Sequence, residues 1–370
     1  MKPLPTNPRQ ILVTCPQRLG DVLLTTALIH SLKQAWPAAA IDVLVLRGTE
    51  SVLTGNPDIR QVLVQVQRAS LWSKVREAFG LWRRYDIAVA AMPTDRSRLS
   101  AWIGGRFRVG FLTPQQGEQR KAFLLDRHVS FDDLDTHTVS MQAQLLLLLE
   151  IPARMQVVLP QLDVAAQAAF TASLPDVPYV VLHPCPKFRY KMWRQHAWVE
   201  LAEWLHACGL SVVFSGGSDA DELAYVAAIQ AQLSFNSRNL AGQLSLAHTS
   251  ALLKHAAFYV GPDTVVTHMA AASGTPTLAL FGPSNPVKWG PWPANRTEPT
   301  SPWSRVGSGR QGNVFLLQGQ GSCVPCLLEG CDRHVNSLSD CLEYLEVQRV
   351  KDALKSLLAA PDKSPVLLDC

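Results

Sequence analysis

The sequence predicts an α/β protein made of two doubly wound domains. Two observations predict it. Apolar runs of strand length alternate with segments of helical periodicity, and this alternation, begun near Ile11, starts afresh at Tyr179. A third observation narrows the class: no strand is followed by G-x-G-x-x-G, so one large dinucleotide-binding dehydrogenase is not expected.

In chain order, "ILVTC" (Ile11 to Cys15) reads as a buried strand. A short loop holding Gly20 leads to a helix beginning near Asp21, with Leu24, Leu28 and Leu32 at helical spacing and Trp36–Pro37 as its stop. "IDVLVL" (Ile41 to Leu46) is largely apolar, as parallel strands covered on both faces are. "DIAVAAM" (Asp86 to Met92) and "RVGFL" (Arg108 to Leu112) read as further strands. The Pro-containing stretch from Ile151 to Pro178 is the expected join. Beyond it come "YVVLHP" (Tyr179 to Pro184), a helix around Ala197 to Cys208 stopped by Gly209, "SVVFSG", a helix, "RNLAG", a helix from about Leu246, "FYVG", a helix from Thr264, and "TLALFG". The expected division is 1–165, 166–345, and a C-terminal helix and tail over 346–370. In doubly wound sheets ligands bind beyond the carboxyl ends of the strands, so every strand-to-helix turn is a candidate site.

Composition agrees with two ordinary globular domains: 370 residues, 47% hydrophobic and 17% charged. A net charge of +4 gives no nucleic-acid signal. The apolar run Ile11 to Val13 is too short for a secretory h-region, and "LLLLL" (Leu145 to Leu149) suits a core helix end rather than a membrane span. A cytoplasmic location is therefore expected, with the eight cysteines reduced.

Three strand ends carry unusual chemistry: "RLGD" at Arg18 to Asp21, "HPCPKFRYKMW" at His183 to Trp193, and "GPDTVVTHMAAASGTPTLALFGPSNPVKWGPW" at Gly261 to Trp292. With "GTESVLTGNPDI" near Gly48 and "CVPCLLEGCDRH" near Cys323, they resemble the ADP-heptose:lipopolysaccharide heptosyltransferases of glycosyltransferase family 9. The resemblance runs through nearly the whole chain and looks most like the branch that adds the third, side-branching heptose of the inner core. It implies a GT-B fold, with two Rossmann-like domains facing a central cleft. It also implies an inverting, metal-independent transfer with no cofactor. ADP-L-glycero-D-manno-heptose would be held mainly by the C-terminal domain, and a lipid A-core oligosaccharide acceptor by the N-terminal one. Such an enzyme would work at the cytoplasmic face of the inner membrane, in peripheral contact with it. Two other readings keep the fold: a transferase using another nucleotide sugar, and a non-catalytic protein that binds a glycolipid or sugar nucleotide.

Each motif residue also has a chemical reading. An inverting transfer needs a base for the acceptor hydroxyl; by spacing alone Asp21 serves equally as that base or as a helix N-cap, and the resemblance selects the base. Lys191, two residues before Trp193, matches the family's lysine-x-tryptophan pattern and would neutralise the departing diphosphate as a compact charge. Lys187 and Arg189 are neighbouring cations. Thr264 opens a helix whose N–H groups can hold the pyrophosphate; Asp263 would then face sugar hydroxyls, since two anions repel, and His268 lies one turn on, on the same face. Many relatives have glycine after "DT", where this chain has Val265. Gly216 in "SGG" could admit the nucleotide to the backbone or simply make a tight turn, and Pro283 and Ser284 are donor-side neighbours. Arg96 and Arg98, just after a strand, are placed to meet acceptor phosphates or to form a solvated surface. The helix carrying Trp72, Phe79 and Trp82 among cations could rest on an anionic membrane or pack by its aromatics. Cys323, Cys326, Cys331 and Cys341, with His334 among them, include a C-x-x-C pair compatible with zinc; the expectation is packing cysteines and no catalytic metal.

Overall fold

A computed structural model describes residues 2–66 and 70–359. They divide into two compact units, one running to Pro160 and including Asn295–Ser301, the other built from Gln161–Ala294 and from Pro302 onward.

In the first unit, β1 (Gln10–Cys15), β2 (Ala40–Leu46), β3 (Gln61–Gln65), β4 (Tyr85–Ala90), β5 (Gly105–Leu112) and β6 (Arg127–Ser130) form a wholly parallel sheet in the order β3-β2-β1-β4-β5-β6. The helices are α1 (Leu19–Ala35), α2 (Leu71–Leu81), α3 (Asp95–Gly104) and α4 (Thr138–Leu148). Strand order reverses between β1 and β4, and in doubly wound folds a ligand crevice opens there, beyond the carboxyl ends. Both predicted strands "IDVLVL" and "ILVTC" are buried as their apolar runs require. Their one carboxylate, Asp42, is fully buried but satisfied: Arg60 grips it with two nitrogens at 2.8 and 2.5 Å, and the Tyr85 hydroxyl donates at 2.8 Å. β1 is tied to α3 through Thr14 and Ser97, whose hydroxyls lie 2.7 Å apart, with Ser97 Oγ donating to the Thr14 carbonyl at 2.9 Å.

The second unit repeats the plan. β7 (Tyr179–Leu182), β8 (Ser211–Phe214), β9 (Arg238–Asn239), β10 (Phe258–Pro262), β11 (Thr277–Phe281), β12 (Gly309–Gln311) and β13 (Val314–Gln318) lie in the order β12-β13-β11-β10-β7-β8-β9, parallel except for β12 against β13. With β7 taken as first strand, the order again reverses once, between β7 and β10. The helices are α5 (Val164–Ala172), α6 (Gln195–Ala207), α7 (Ala220–Gln230), α8 (Leu246–His255), α9 (Val265–Ala272), α10 (Pro286–Trp289), α11 (Asp340–Glu343) and α12 (Val347–Leu358).

The core of this unit explains the K-x-W spacing. Trp193 and Trp198 are fully buried and meet edge to face, 5.0 Å between ring centres, and the Trp193 indole N–H donates to the Leu345 carbonyl at 2.8 Å. The same core takes Val350, Leu354 and Leu357 of α12, so the predicted C-terminal helix packs into the second unit; residues 360–370 lie outside the described residues. α6 ends as expected, at Cys208 followed by Gly209 with φ of 81°, a left-handed position that suits glycine. Two expectations shift. α1 begins at Leu19, two residues before Asp21, and the stretch around Arg96 and Arg98 is helix α3, capped by Thr94, whose hydroxyl accepts the Ser97 N–H at 3.2 Å. Among the described residues no helix is long and apolar enough to cross a membrane.

Candidate active site

Two loops of the second unit leave adjacent strands at the point where strand order reverses. After β7 the chain turns through a short 3₁₀ segment, Arg189–Lys191, and is anchored at once by Trp193. After β10 it passes Asp263 and enters α9. The reversal brings together what the sequence separates: Lys191 Nζ lies 2.5 Å from an Asp263 carboxylate oxygen. Ser284, following β11, adds a hydrogen bond to the same carboxylate.

Burial pushes the Asp263 carboxyl up, but the Lys191 charge and the Lys191 and Ser284 hydrogen bonds outweigh it and hold the group below its ordinary value. His268 Nε2 stands 4.0 Å from the second Asp263 oxygen. Burial, helped by the Lys191 charge and opposed by Asp263, pushes this imidazole down to about 4. His268 is thus uncharged at neutral pH, and Lys191 is the cation that pairs with Asp263.

The start of α9 is built rigidly. Thr264 caps it, accepting the Thr267 N–H at 3.3 Å, while the buried Thr267 hydroxyl bonds to the Pro262 carbonyl and lies 2.8 Å from the Tyr259 hydroxyl. The first N–H groups of a helix have no intrahelical acceptor and carry the positive end of its dipole. A cation, a carboxylate and a helix N-terminus therefore share one turn. That combination suits a diphosphate joined to a polyhydroxy group: the lysine and the helix for the anion, the carboxylate for hydroxyls.

The other predicted positions sort around this centre. Gly216 follows β8; a Cβ there would stand 3.1 Å from Ala241, and the next N–H, of Gly217, is accepted by Glu222 at 2.7 Å, so the "SGG" segment is a packed turn. Lys187 is exposed, 5.9 Å over the Phe188 ring, and does not join the Lys191–Asp263 pair. One group beside the site carried no sequence assignment. His183, at the end of β7, is buried, sits 3.0 Å from the Ser215 hydroxyl, and is held down to about 4 by burial; its only signal in the sequence is "HP" after a strand.

In the first unit Asp21 is buried in the opening turn of α1, and the N-cap position belongs to Arg18, which makes no side-chain cap. The cap reading of Asp21 therefore does not hold. Its charge reaches the end of β1: the Cys15 thiol is pushed up by burial first and then by Asp21. Arg96, at the start of α3 beyond β4, is exposed. Asp21 and Arg96 thus follow the two strands that flank the reversal in this sheet. Arg98 corrects its expectation. It is 1% exposed, pairs with Asp95 at 2.6 Å and Glu118 at 2.8 Å, and donates to the Phe111 carbonyl at 3.2 Å. Two residues along a helix turn a side chain through about 200°, so Arg96 faces out and Arg98 in. Arg98 is buried among partners of its own unit, contrary to the expected acceptor contact. Trp72 and Phe79 on α2 and Trp82 just beyond it are exposed; Trp82 still meets the Trp102 ring edge to face, 6.5 Å between ring centres.

With this geometry in place, comparison with known proteins decides the family. Residues 70–304 match glycosyltransferase family 9 (heptosyltransferase). The chain belongs to that family. Lipopolysaccharide heptosyltransferase 3 of Escherichia coli is 29% identical over 304 residues, covering 75% of this chain and 84% of the relative. Lipopolysaccharide heptosyltransferase 1 of Pseudomonas aeruginosa is 27% identical over 379 residues, covering 95% and 99%. The solved structure of E. coli ADP-heptose lps heptosyltransferase II superposes with a TM-score of 0.69 at 21% identity, covering 94% of this chain and 98% of that one, and shares its GT-B fold. The expected fold class, two Rossmann-like α/β domains, is thereby confirmed for this heptosyltransferase-family chain.

Proposed function

We propose that this family 9 glycosyltransferase transfers heptose from ADP-L-glycero-D-manno-heptose to the inner core of lipopolysaccharide, adding the third, side-branch heptose. The Lys191–Asp263 pair at the N-terminus of α9 carries the reading. An acceptor hydroxyl oxygen attacks the anomeric carbon, and the bond from that carbon to the ADP oxygen breaks with inversion. Asp21 takes the hydroxyl proton. Lys191 and the first N–H groups of α9 meet the charge gathering on the departing diphosphate, donors fixed before the reaction begins. Lysine has three N–H donors, so Lys191 keeps Asp263 while reaching a phosphate oxygen. Asp263 and Thr264 turn toward sugar hydroxyls and the phosphate respectively, with neutral His268 beside them.

In this assignment divalent cations play no part in catalysis, because lysine and helix supply the compensating charge. The second unit binds donor; the first supplies the base and meets the lipid A-core acceptor, with Arg96 toward its phosphates. The enzyme works at the cytoplasmic face of the inner membrane, where the exposed Trp72, Phe79 and Trp82 suit peripheral contact. Mass spectrometry of core oligosaccharide from cells with and without the protein tests the assignment. Loss of one side-branch heptose is expected; an unchanged core would remove it.

A further inference from the structure

Residues 319–339, between β13 and α11, contain no helix or strand. Together with α11 they hold the turns on both sides of the Lys191–Asp263 pair. On the Asp263 side, the Leu327 N–H donates to the Pro283 carbonyl at 2.9 Å, next to Ser284. A Cβ on Gly282 would stand 2.7 Å from Leu342, so α11 lies directly on the turn that leads to Ser284. On the Lys191 side, three groups of one turn reach the same short stretch of chain. The Trp193 indole N–H donates to the Leu345 carbonyl at 2.8 Å, and the Arg194 guanidinium donates to the Glu343 carbonyl at 3.2 Å. The Tyr190 carbonyl accepts the Ser339 hydroxyl at 2.6 Å.

The Ser339 contact is unusual for its position. Ser339 occupies the N-cap of α11, where a serine oxygen ordinarily accepts an N–H of its own helix. It makes no such cap, and its hydroxyl, on a residue only 2% exposed, is directed to Tyr190 instead. The carbonyl it holds belongs to the peptide unit that joins Tyr190 to Lys191. The N–H of that unit, on Lys191, donates to the Phe188 carbonyl at 3.0 Å. A peptide unit is planar, so bonds to both its polar groups fix the direction in which the chain enters Lys191. The turn needs that support: it is a three-residue 3₁₀ segment with no side-chain cap, and the lysine stem beyond it is a flexible four-carbon chain. We propose that Ser339 is a positioning residue for the transfer: through the Tyr190 carbonyl it sets where Lys191 Nζ stands beside Asp263, and hence beside the diphosphate. This role rests on Lys191 being the cation that meets the diphosphate. A misplacement of about 1 Å in such a group can cost as much as a hundredfold in rate.

Calorimetric titration with ADP tests this, on the full wild-type chain, Ser339→Ala, Lys191→Ala and the double variant. ADP affinity should fall about three- to tenfold in Ser339→Ala, the worth of one hydrogen bond. The same change made in Lys191→Ala should cost nothing further, because a contact that acts through Lys191 then has nothing to act on. A serine that merely stabilised the fold would not show this dependence. Should Ser339→Ala not fold, Arg194→Ala, at the partly exposed end of the same grip, carries the same cycle with the same expected result. Unchanged ADP affinity in the variant that folds, or an equal loss with and without Lys191, overturns the positioning role and leaves the donor site standing. A wild-type chain that binds no ADP removes the donor site itself, and this role with it.

Discussion

Lys191 Nζ and the Asp263 carboxylate, 72 residues apart in the chain, meet at 2.5 Å where β7 and β10 diverge. The contact places a cation beside the N-terminus of α9 and couples the two donor-side loops. Removing either partner exposes the other to a low-dielectric surrounding, so function and stability respond together.

Lys191→Ala should raise the KM for ADP-heptose and lower kcat/KM by more than tenfold, since a charge-assisted contact to the diphosphate is lost, roughly 1.5–3 kcal/mol. It should also lower the melting temperature, because Asp263 is left buried without its cation. In Lys191→Ala/Asp263→Ala, part of the lost stability should return while activity stays low. Steady-state kinetics and thermal melts of the three variants check both; a single variant with normal kcat/KM at low donor would remove Lys191 from the site.

Asp263→Ala should weaken the sugar nucleotide more than free ADP, because the carboxylate is assigned to sugar hydroxyls. Calorimetric titration with each ligand separates the cases. Equal losses would move Asp263 from a sugar contact to a mere partner for Lys191.

Acid should destabilise the second unit before its carboxylates protonate. His268 is held neutral in the fold, down from 6.5 to about 4. The unfolded chain therefore binds more protons between these values, and stability that is full above pH 6.5 falls as pH drops toward 4, by roughly 3 kcal/mol at most. His183, shifted in the same direction, adds to the slope. Asp263 is shifted down and keeps its contribution until more acid conditions. Denaturant unfolding from pH 7 to 4 should show the slope, and His268→Gln should make it shallower.

Arg96 and Arg98 should part company on mutation. Arg98→Ala leaves a buried gap and an unmet Phe111 carbonyl, while Lys121 still pairs with Glu118 and Asp95, and it should cost about 1–3 kcal/mol of stability. Arg96→Ala, on the exposed side of α3, should stay within about 0.5 kcal/mol of wild type while raising the KM for the core acceptor. Chemical denaturation and acceptor-saturation curves give the answer.

The contrast shows what the sequence can and cannot display. Strands buried on both faces, such as Ile11–Cys15 and Ile41–Leu46, announce themselves as apolar runs, and the restart at Tyr179 reveals the duplication of plan. Three of the edge strands do not: Gln61–Gln65, Arg127–Ser130 and Gly309–Gln311 are short, partly exposed and polar enough to pass for loops. The site motifs stand out as residues at strand ends, but their pairing depends on strand order, which no local pattern encodes. The Arg96–Arg98 spacing alone does not tell a buried from an exposed arginine; the helix does.

The most direct measurement is turnover of Asp21→Asn. Asparagine keeps the size and most of the hydrogen bonding of Asp21 but cannot take a proton, and the capping position belongs to Arg18. General-base contributions are typically ~100- to 10,000-fold. The account predicts a kcat lower by an amount in that range, with affinity for ADP-heptose, held by the second unit, nearly unchanged. A variant with near-normal turnover would contradict it, and the transfer would be left without its base.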